Sequence, residues 1–226
     1  MPRALVFGGS GQIGGACADA LERDGFDVVR TARRASDDGR IVGFDAFGEA
    51  RFPGTDPFDA VVWAQGANMN DSIRTFDSER HLDLYKANAL FVAATLQSLL
   101  VNDRFVPRAR LCVISSVWQT VARRDKLSYM MSKAALQGLV MSAAIDLAEQ
   151  GILINAVLPG ALDTPMTHAN LSVEQVARLA ALTPFNRLAS INDVANLAAF
   201  LCSAANTSIT GQFVSVDLGF QNARLV

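Results

Sequence analysis

Tyr129 and Lys133 are four residues apart in the stretch YMMSK, a spacing that places both side chains on one face of a helix. The chain has only two tyrosines and three lysines, so a chance Tyr-x-x-x-Lys pair has a probability of about 0.03 and the pair is informative. An ammonium group about 5 Å from a phenol, at an effective dielectric of about 20, favours the phenolate by roughly 3 kcal/mol, which lowers the tyrosine pKa by about two pH units. The pair therefore predicts a tyrosine that donates a proton to a carbonyl oxygen or removes one from an alcohol. A solvent-exposed surface pair is the alternative.

Two further polar residues are candidates for the same chemistry. Ser116 follows the apolar run LCVIS, and parallel α/β sheets bind ligands at such strand ends. Its hydroxyl would hold a substrate oxygen, although a strand-end serine is also a common turn or capping residue. Asn88 lies within the apolar stretch YKANALFVAAT, where an amide must bond to something or destabilise the fold. A satisfied core amide is the simpler interpretation of Asn88 taken alone.

The glycine-rich stretch FGGSGQIGG, residues 7–15, follows a predicted strand and begins a predicted helix. Gly8, Gly11 and Gly14 are spaced three apart. In a phosphate-binding loop the first glycine forms a tight turn, the second lets the main chain approach a pyrophosphate, and the third lets helix and strand pack closely. A plain strand-to-helix turn is the alternative.

The second predicted strand ends in TARR, where dinucleotide-binding folds often carry an acidic residue that bonds the adenosine ribose. Ala32 occupies that position here, and Arg33 and Arg34 follow it. A guanidinium group can bind a phosphate through two parallel hydrogen bonds, so this ending favours the 2′-phosphate of NADP. A solvated arginine pair is the alternative.

Short apolar runs alternate with longer stretches of helical spacing, which predicts an α/β fold. Most strand runs are continuously apolar, so we expect a doubly wound Rossmann fold with about seven parallel strands and helices on both faces. The predicted strands are Ala4–Gly8, Asp27–Thr31, Arg40–Phe44, Ala60–Trp63, Arg110–Ser115, Ile152–Leu158 and Gly211–Val216. The predicted helices are Gln12–Asp24, Ser78–Val101, Tyr129–Gln150, Val173–Leu182 and Ile191–Ser203. Two prolines and two glycines between the third and fourth strands predict a shortened third crossover helix.

Length and composition narrow the function classes. With 226 residues and a net charge of −2, the chain fits a single domain over residues 1–226 and a partner other than nucleic acid. No uninterrupted apolar run reaches about 18 residues and no signal-peptide pattern precedes the first strand, so we expect a cytoplasmic protein that does not enter a membrane. Cys17, Cys112 and Cys202 predict buried free thiols. His81 and His168 lack partners at metal-ligand spacing, so no metal site is expected.

Taken together, these motifs resemble the single-domain short-chain dehydrogenases/reductases, over almost the whole chain. In that family Asn, Ser, Tyr and Lys form a catalytic tetrad, and Asn88, Ser116, Tyr129 and Lys133 match it in order and spacing. The resemblance implies that Tyr129 is the proton donor, that Lys133 lowers its pKa and bonds the nicotinamide ribose, that Ser116 orients the substrate oxygen, and that Asn88 holds a water in a proton relay.

The same resemblance implies NADP(H) as cofactor and assigns residues to it. They are Gly8, Ser10, Gly11, Gln12, Ile13, Gly14, Arg33, Arg34, Asp45, Ala64, Gln65, Gly66, Pro159, Gly160 and Thr164. Three features depart from the family pattern. Gln12 stands where the middle glycine is usual, WAQG replaces NNAG at residues 63–66, and Asp-Leu-Gly replaces Asp-Gly-Gly at residues 217–219.

The implied activity is an NADPH-dependent carbonyl or ketoacyl reductase, or in reverse an alcohol dehydrogenase. The glycine spacing also allows a sugar-nucleotide epimerase or dehydratase, although little chain remains after Asp217 for the larger substrate region of such enzymes. A non-catalytic NADP-binding regulatory protein is the third possibility.

The resemblance also predicts the surroundings of the substrate. The segment Asp163–Arg187 resembles the family's mobile substrate lid, although the apolar spacing of Val173–Leu182 fits ordinary core packing equally well. The small carbonyl or alcohol substrate would contact Val117, Trp118 and Met166. Apolar faces on Ser78–Val101 and Tyr129–Gln150 predict pairing into a homodimer or homotetramer.

Overall fold

The structure, a computed structural model, describes residues 1–48, 52 and 54–223. Its main sheet contains seven strands, namely β1 Arg3–Phe7, β2 Asp27–Ala32, β3 Ile41–Gly43, β4 Phe58–Trp63, β5 Phe105–Ile114, β6 Leu153–Pro159 and β9 Phe213–Val216. All pairs in this sheet are parallel, in the order β3-β2-β1-β4-β5-β6-β9. A separate short pair joins β7 Leu162–Asp163 to β8 Ala189–Ser190. The direction of winding changes between β1 and β4, which opens a crevice at the carboxyl ends of the strands.

Helices cover both faces of the sheet, which confirms the doubly wound Rossmann fold. They are α1 Gln12–Arg23, α2 Ser78–Tyr85, α3 Phe91–Val101, α4 Leu127–Asp146, α5 Pro165–Asn170, α6 Val173–Ala181 and α7 Ile191–Cys202. Buried residues of α1 and α7 form one core with side chains such as Ala4 and Val6 of β1. Residues of α3 and α4 form the other core with Leu5 and Phe7, which point to the opposite face.

The seven predicted strands are all present, with ends that differ by a few residues. The largest difference is at β5, which begins at Phe105 rather than Arg110. The prediction began too late because Pro107 and Arg108 interrupt the apolar pattern of this strand. The sequence did not predict α5 or the pair β7 and β8. The predicted helix Ser78–Val101 contains a π-helical turn, Lys86–Leu90, that periodicity could not reveal.

The third crossover contains no helix in its described residues, 44–48, 52 and 54–57, in line with the predicted shortening. An aromatic cluster lies there instead. Phe7 of β1 contacts Phe44 and Phe91, with ring centroids 5.2 Å and 5.4 Å away, and Phe44 stacks on Phe52 at 5.2 Å. Trp63 stacks on Phe7 at 5.8 Å and donates its indole N–H to Thr95, 2.8 Å away. Aromatic burial thus covers part of the sheet where a helix is usual.

One helix in the described part of the chain, Ser78–Val101, is long and apolar enough to cross a membrane by length and composition alone. Its most apolar 18-residue window has a mean hydropathy of 1.3. The sequence expectation considered only uninterrupted apolar runs, which this helix lacks. Core helices pass the same test, and Val92, Leu96 and Leu99 of this helix are buried against the sheet.

The three cysteines are free and buried, as predicted. Cys17 and Cys202 lie on the helices α1 and α7, and Cys112 lies on β5 between them in the same core. Burial in this core raises the pKa of Cys17, and contact with Cys202 together with burial raises that of Cys112. These thiols act as small apolar side chains.

The beginning of α1 lies against the loop that follows β1. A Cβ atom built on Gly14 would lie 2.1 Å from the carbonyl oxygen of Gly8, whereas one on Gly15 would first meet the carbonyl oxygen of Gly9 at 3.6 Å. Main-chain atoms cannot move aside as a flexible side chain can. Gly14 therefore sets how closely the helix approaches the strand end.

We expect Gly14→Ala to reduce the free energy of unfolding by about 3 kcal/mol, because the new methyl group overlaps main-chain atoms. Gly15→Ala is the matched control. It removes a glycine from the same helix turn without a clash and should be neutral or stabilising by up to about 1 kcal/mol. Urea unfolding followed by circular dichroism measures both, and equal stability of the two variants would contradict this packing account.

Candidate active site

Two cavities lie at the carboxyl ends of the parallel strands, where the predicted site residues converge. The larger has a volume of about 620 Å³ and is formed by the ends of β1, β2 and β4 with the third crossover. The smaller has a volume of about 220 Å³ and is formed by the ends of β5 and β6, α4 and the segment of the predicted lid. Ligands of open parallel sheets bind in this position.

The glycine loop forms one wall of the larger cavity. Gly8 has a φ of +79°, and a Cβ atom there would lie 2.6 Å from the main-chain nitrogen of Gln65. Gly8, Ser10 and Gly11 line the cavity, and α1 begins directly after Gly11 without a side-chain cap. Uncapped N–H groups at a helix N-terminus attract a phosphate group.

The other residues of the glycine loop lie in different places. Ile13 lines the smaller cavity, while Gln12 and Gly14 line neither. Gln12 is exposed and Gly14 is buried against Gly8. The loop thus has the main-chain shape of a phosphate cradle with Gln12 on its outside.

The strand-end arginines differ in their positions. Arg33 lines the larger cavity, whereas Arg34 does not, and both are exposed. Arg30, which precedes them on β2, is bound to Asp19 and Glu22 at 2.6 Å and 2.8 Å. Arg33 is therefore the arginine placed to meet a phosphate group in this cavity.

Four more residues that the resemblance assigns to the cofactor line the larger cavity. They are Asp45, Ala64, Gln65 and Gly66. The side-chain oxygen Oε1 of Gln65 is buried and has no hydrogen-bond partner among the described residues. Such an acceptor fits a bound molecule that donates a hydrogen bond. Sequence reasoning missed the aromatic and charged lining that comes from the crossover and the helix α2–α3, namely Phe44, Phe47, Asp83, Lys86 and Phe91.

Ser116 and Tyr129 lie together in the smaller cavity. The Ser116 hydroxyl accepts from the N–H of Trp118 at 3.3 Å, and it lies close enough to Tyr129 to act on the pKa of that phenol. Burial raises the pKa of Tyr129, and the Ser116 hydroxyl and the positive charge of Arg123 act against that rise. Tyr129 therefore keeps its proton at neutral pH.

Lys133 is buried, with its side-chain nitrogen 5.8 Å from the centre of the Tyr129 ring and 3.0 Å from the carbonyl oxygen of Ile114, to which it donates. Burial lowers the pKa of Lys133 to about 8. The sequence expectation of a lowered Tyr129 pKa is wrong, because burial of the phenol outweighs the groups that act against it. The expectation counted the attraction between Tyr129 and Lys133 and left out the cost of burying them. The role of Lys133 in lowering this pKa stays a prediction.

Asn88 lies in the π-helical turn and is almost fully buried. Its Oδ1 accepts from the N–H of Ala67 at 2.7 Å, and its Nδ2 donates to the carbonyl oxygen of Ala67 at 3.1 Å and to the hydroxyl of Ser132 at 2.9 Å. Asn88 lines neither cavity. Its side chain is a satisfied amide that fixes the loop after β4, and its role in a proton relay stays a prediction.

The other predicted contacts divide into two groups. Pro159, Gly160 and Trp118 line the smaller cavity. Val117 is fully buried in the core, and Thr164 caps α5 by accepting from the N–H of Thr167 at 3.0 Å. The side chain of Met166 lies outside the described part of the structure.

Sequence reasoning also missed several polar residues of the smaller cavity, among them Asn68, Arg123 and Lys126. The sequence carried a signal for Arg123 and Lys126. The run RRDK, residues 123–126, stands between Ser116, two residues after the end of β5, and the helix that carries Tyr129. Charged side chains in such a position face the ligand crevice as readily as solvent.

Comparisons with known proteins define the class. Residues 49–221 match the family model described as enoyl-(acyl carrier protein) reductase. The chain is 30% identical to the 3-oxoacyl-[acyl-carrier-protein] reductase of Escherichia coli K12 over 237 residues, which cover 96% of each chain. It is also 30% identical to gluconate 5-dehydrogenase of Gluconobacter oxydans over 241 residues, covering 96% of this chain and 93% of that one.

Solved structures show the same fold. A putative short-chain alcohol dehydrogenase from Sinorhizobium meliloti superposes with a TM-score of 0.89 at 24% identity, over 99% of this chain and 97% of that one. A gluconate 5-dehydrogenase from Burkholderia cenocepacia, in complex with NADP and tartrate, superposes with a TM-score of 0.85 at 22% identity, over 99% and 96%. The chain belongs to the short-chain dehydrogenase/reductase family. It is an oxidoreductase of a family that uses a nicotinamide cofactor.

Proposed function

We propose that the protein is an NADPH-dependent reductase that converts a small carbonyl compound into an alcohol, within a single domain over residues 1–226. The position of Ser116 and Tyr129 in the smaller cavity, where the serine hydroxyl is close enough to act on the pKa of the phenol, carries this proposal. A protonated phenol and a hydroxyl on one side of a cavity form a two-point site for one oxygen atom.

The cradle fits the cofactor of the family. Gly8 has no room for a side chain, the N-terminus of α1 is uncapped, and Gln65 offers a buried acceptor without a partner. Ser10, Gly11 and Ile13 would hold the pyrophosphate, and Arg33 the 2′-phosphate. When bound, the nicotinamide supplies the hydride that adds to the carbonyl carbon.

The protein's own residues complete the reaction. Ser116 orients the carbonyl oxygen, and Tyr129 gives that oxygen its proton as the carbon gains the hydride, so that the products are an alcohol and the oxidised cofactor. Lys133, which donates to the carbonyl oxygen of Ile114, would bond the nicotinamide ribose. Its positive charge would stabilise the phenolate that forms on Tyr129. In the oxidative direction Tyr129 removes the proton. Pairing into a homodimer or homotetramer and a cytoplasmic location stay predictions.

A preference for NADPH rests on Arg33. The end of β2 carries no acidic residue to bond the ribose hydroxyls, and Arg33 lines the cavity at that point. The B. cenocepacia gluconate 5-dehydrogenase was solved with NADP, which accords with this choice.

Tyr129→Phe removes the proton donor and should lower reductase turnover by about 100-fold or more, while NADPH still binds. Steady-state assays on a panel of small ketones measure turnover, and quenching of protein fluorescence measures binding. Tyr85→Phe, which changes the other tyrosine of the chain, is the matched control. Turnover by Tyr129→Phe within a few-fold of the parent protein would refute the mechanism.

Arg33→Ala should lower the ratio of kcat/KM for NADPH to that for NADH by about ten-fold or more, because it removes the charge that faces the 2′-phosphate. Arg34→Ala removes an equal charge outside the cavity, and we expect a smaller change in the same ratio. If Arg34→Ala has the larger effect, or if neither variant changes the ratio, the assignment of Arg33 is wrong.

A further inference from the structure

The charged side chains that line the smaller cavity are positive among the residues that the structure describes. Its fifteen described lining residues include Arg123 and Lys126 but no aspartate or glutamate. Both cations stand on the segment that leads into α4, a few residues before Tyr129. A cavity whose only charges are positive raises the local concentration of anions.

The side-chain ammonium of Lys126 already has its hydrogen-bond acceptors within the protein. Its side-chain nitrogen donates to Oδ1 of Asn68 at 2.7 Å, to Oδ1 of Asn70 and to the carbonyl oxygen of Met69 at 3.4 Å. These three acceptors use its three protons. The nearby buried carboxylate of Asp71 provides a compensating negative charge. Lys126 therefore anchors the segment rather than offering a free donor.

Arg123 is the second cation of this cavity, and its side chain has no hydrogen-bond acceptor among the described residues. Its guanidinium lies 5.3 Å over the centre of the Trp118 ring, which fixes its position against one wall of the cavity. Within the described residues the Arg123 side chain makes no salt bridge. It is partly buried, and its charge is close enough to Tyr129 to act on the pKa of that phenol. A guanidinium with free donors next to a reacting hydroxyl is suited to bind a carboxylate through two hydrogen bonds.

The segment that carries Arg123 is held firmly. Asp71 accepts from the N–H of Ser128 at 3.0 Å and from its hydroxyl, and the N–H of Asp71 donates to the carbonyl oxygen of Asp125 at 3.3 Å. On the other side, Phe220 packs edge-to-face on Trp118 with ring centroids 5.4 Å apart. Arg123 is thus positioned before a substrate arrives, which reduces the entropy lost on binding.

We propose that the substrate is a small keto or hydroxy acid whose carboxylate is bound by Arg123 while Ser116 and Tyr129 hold its reacting oxygen. This inference rests on the proposed function. The cavity volume of about 220 Å³ limits the substrate to a short chain. Trp118, Leu171 and Leu179 supply apolar walls for the carbon atoms between the two polar ends.

The test compares ketones that differ only in charge. Acetoacetate and levulinate are assayed with NADPH against their methyl esters, and we expect the acids to have at least about ten-fold higher kcat/KM in the parent protein. Arg123→Ala should lower this acid-to-ester ratio by about ten-fold or more, and Arg123→Lys should restore part of it. Arg124→Ala, an exposed arginine outside the cavity, should leave the ratio unchanged.

A second measurement does not depend on turnover. We expect malonate to bind to the NADP⁺-saturated protein in calorimetry, and Arg123→Ala to weaken this binding by about ten-fold or more. Malonate binding that depends on Arg123 in a protein that reduces no ketone would refute the proposed reductase and keep the anion site. Equal rates for acids and esters, together with no malonate binding, would overturn this inference and leave the reductase intact.

A third comparison distinguishes a carboxylate on the substrate itself from the phosphates of a coenzyme attached to it. Acetoacetyl-CoA carries its anionic groups far from the ketone, on the phosphates of the coenzyme. A preference for acetoacetyl-CoA over acetoacetate that Arg123→Ala removes would overturn the assignment of a carboxylate on the substrate itself. We expect acetoacetate to be preferred.

Discussion

The bond between the buried side-chain nitrogen of Lys133 and the carbonyl oxygen of Ile114 fastens α4 to the end of β5. Burying a cation is costly unless it is compensated, so α4 can pack here only in the position that keeps this bond. The same helix turns carry Tyr129, which thereby meets Ser116 at the end of that strand. They also carry Ser132, which holds Asn88 and through it the loop that follows β4. One network therefore joins α4 to two strand ends and to the π-helical turn.

This arrangement gives the protein two opposing electrostatic effects at one phenol. Burial favours neutral Tyr129 and also weakens the charge of Lys133, whose pKa falls to about 8. Ser116 and Arg123 favour the phenolate. A proton donor needs both, because it must keep its proton in the free enzyme and release it once the substrate oxygen demands it. Arg123 links the acid–base chemistry to the proposed recognition of an anionic substrate.

Most of the fold could be predicted from the sequence because its strands are continuously apolar and its motifs recur in a fixed order. The residues of the glycine loop and the pair Ser116 and Tyr129 were predicted from type, spacing and a family resemblance, and most of them line the two cavities at the carboxyl ends of the strands. What the sequence could not provide depends on three-dimensional surroundings. The sign of the shift in the pKa of Tyr129 follows from burial, which a spacing argument does not measure. The roles of Arg123 and Lys126 depend on which of the two cations finds partners in the folded protein. The π-helical turn at Asn88 does not change the spacing of apolar residues, so the sequence pattern does not reveal it.

The proposed chemistry depends on a phenol at Tyr129 that burial keeps protonated and on which the Ser116 hydroxyl acts. The chain permits a direct measurement because its only other tyrosine is Tyr85. In a Tyr85→Phe background, ultraviolet difference titration follows the ionisation of Tyr129 alone, with circular dichroism to show that the fold persists at each pH. We expect the pKa of Tyr129 to lie above the ordinary tyrosine value of about 10, and to rise further in Ser116→Ala, which loses the hydroxyl that favours the phenolate. An ordinary pKa that is unchanged by Ser116→Ala would contradict the account.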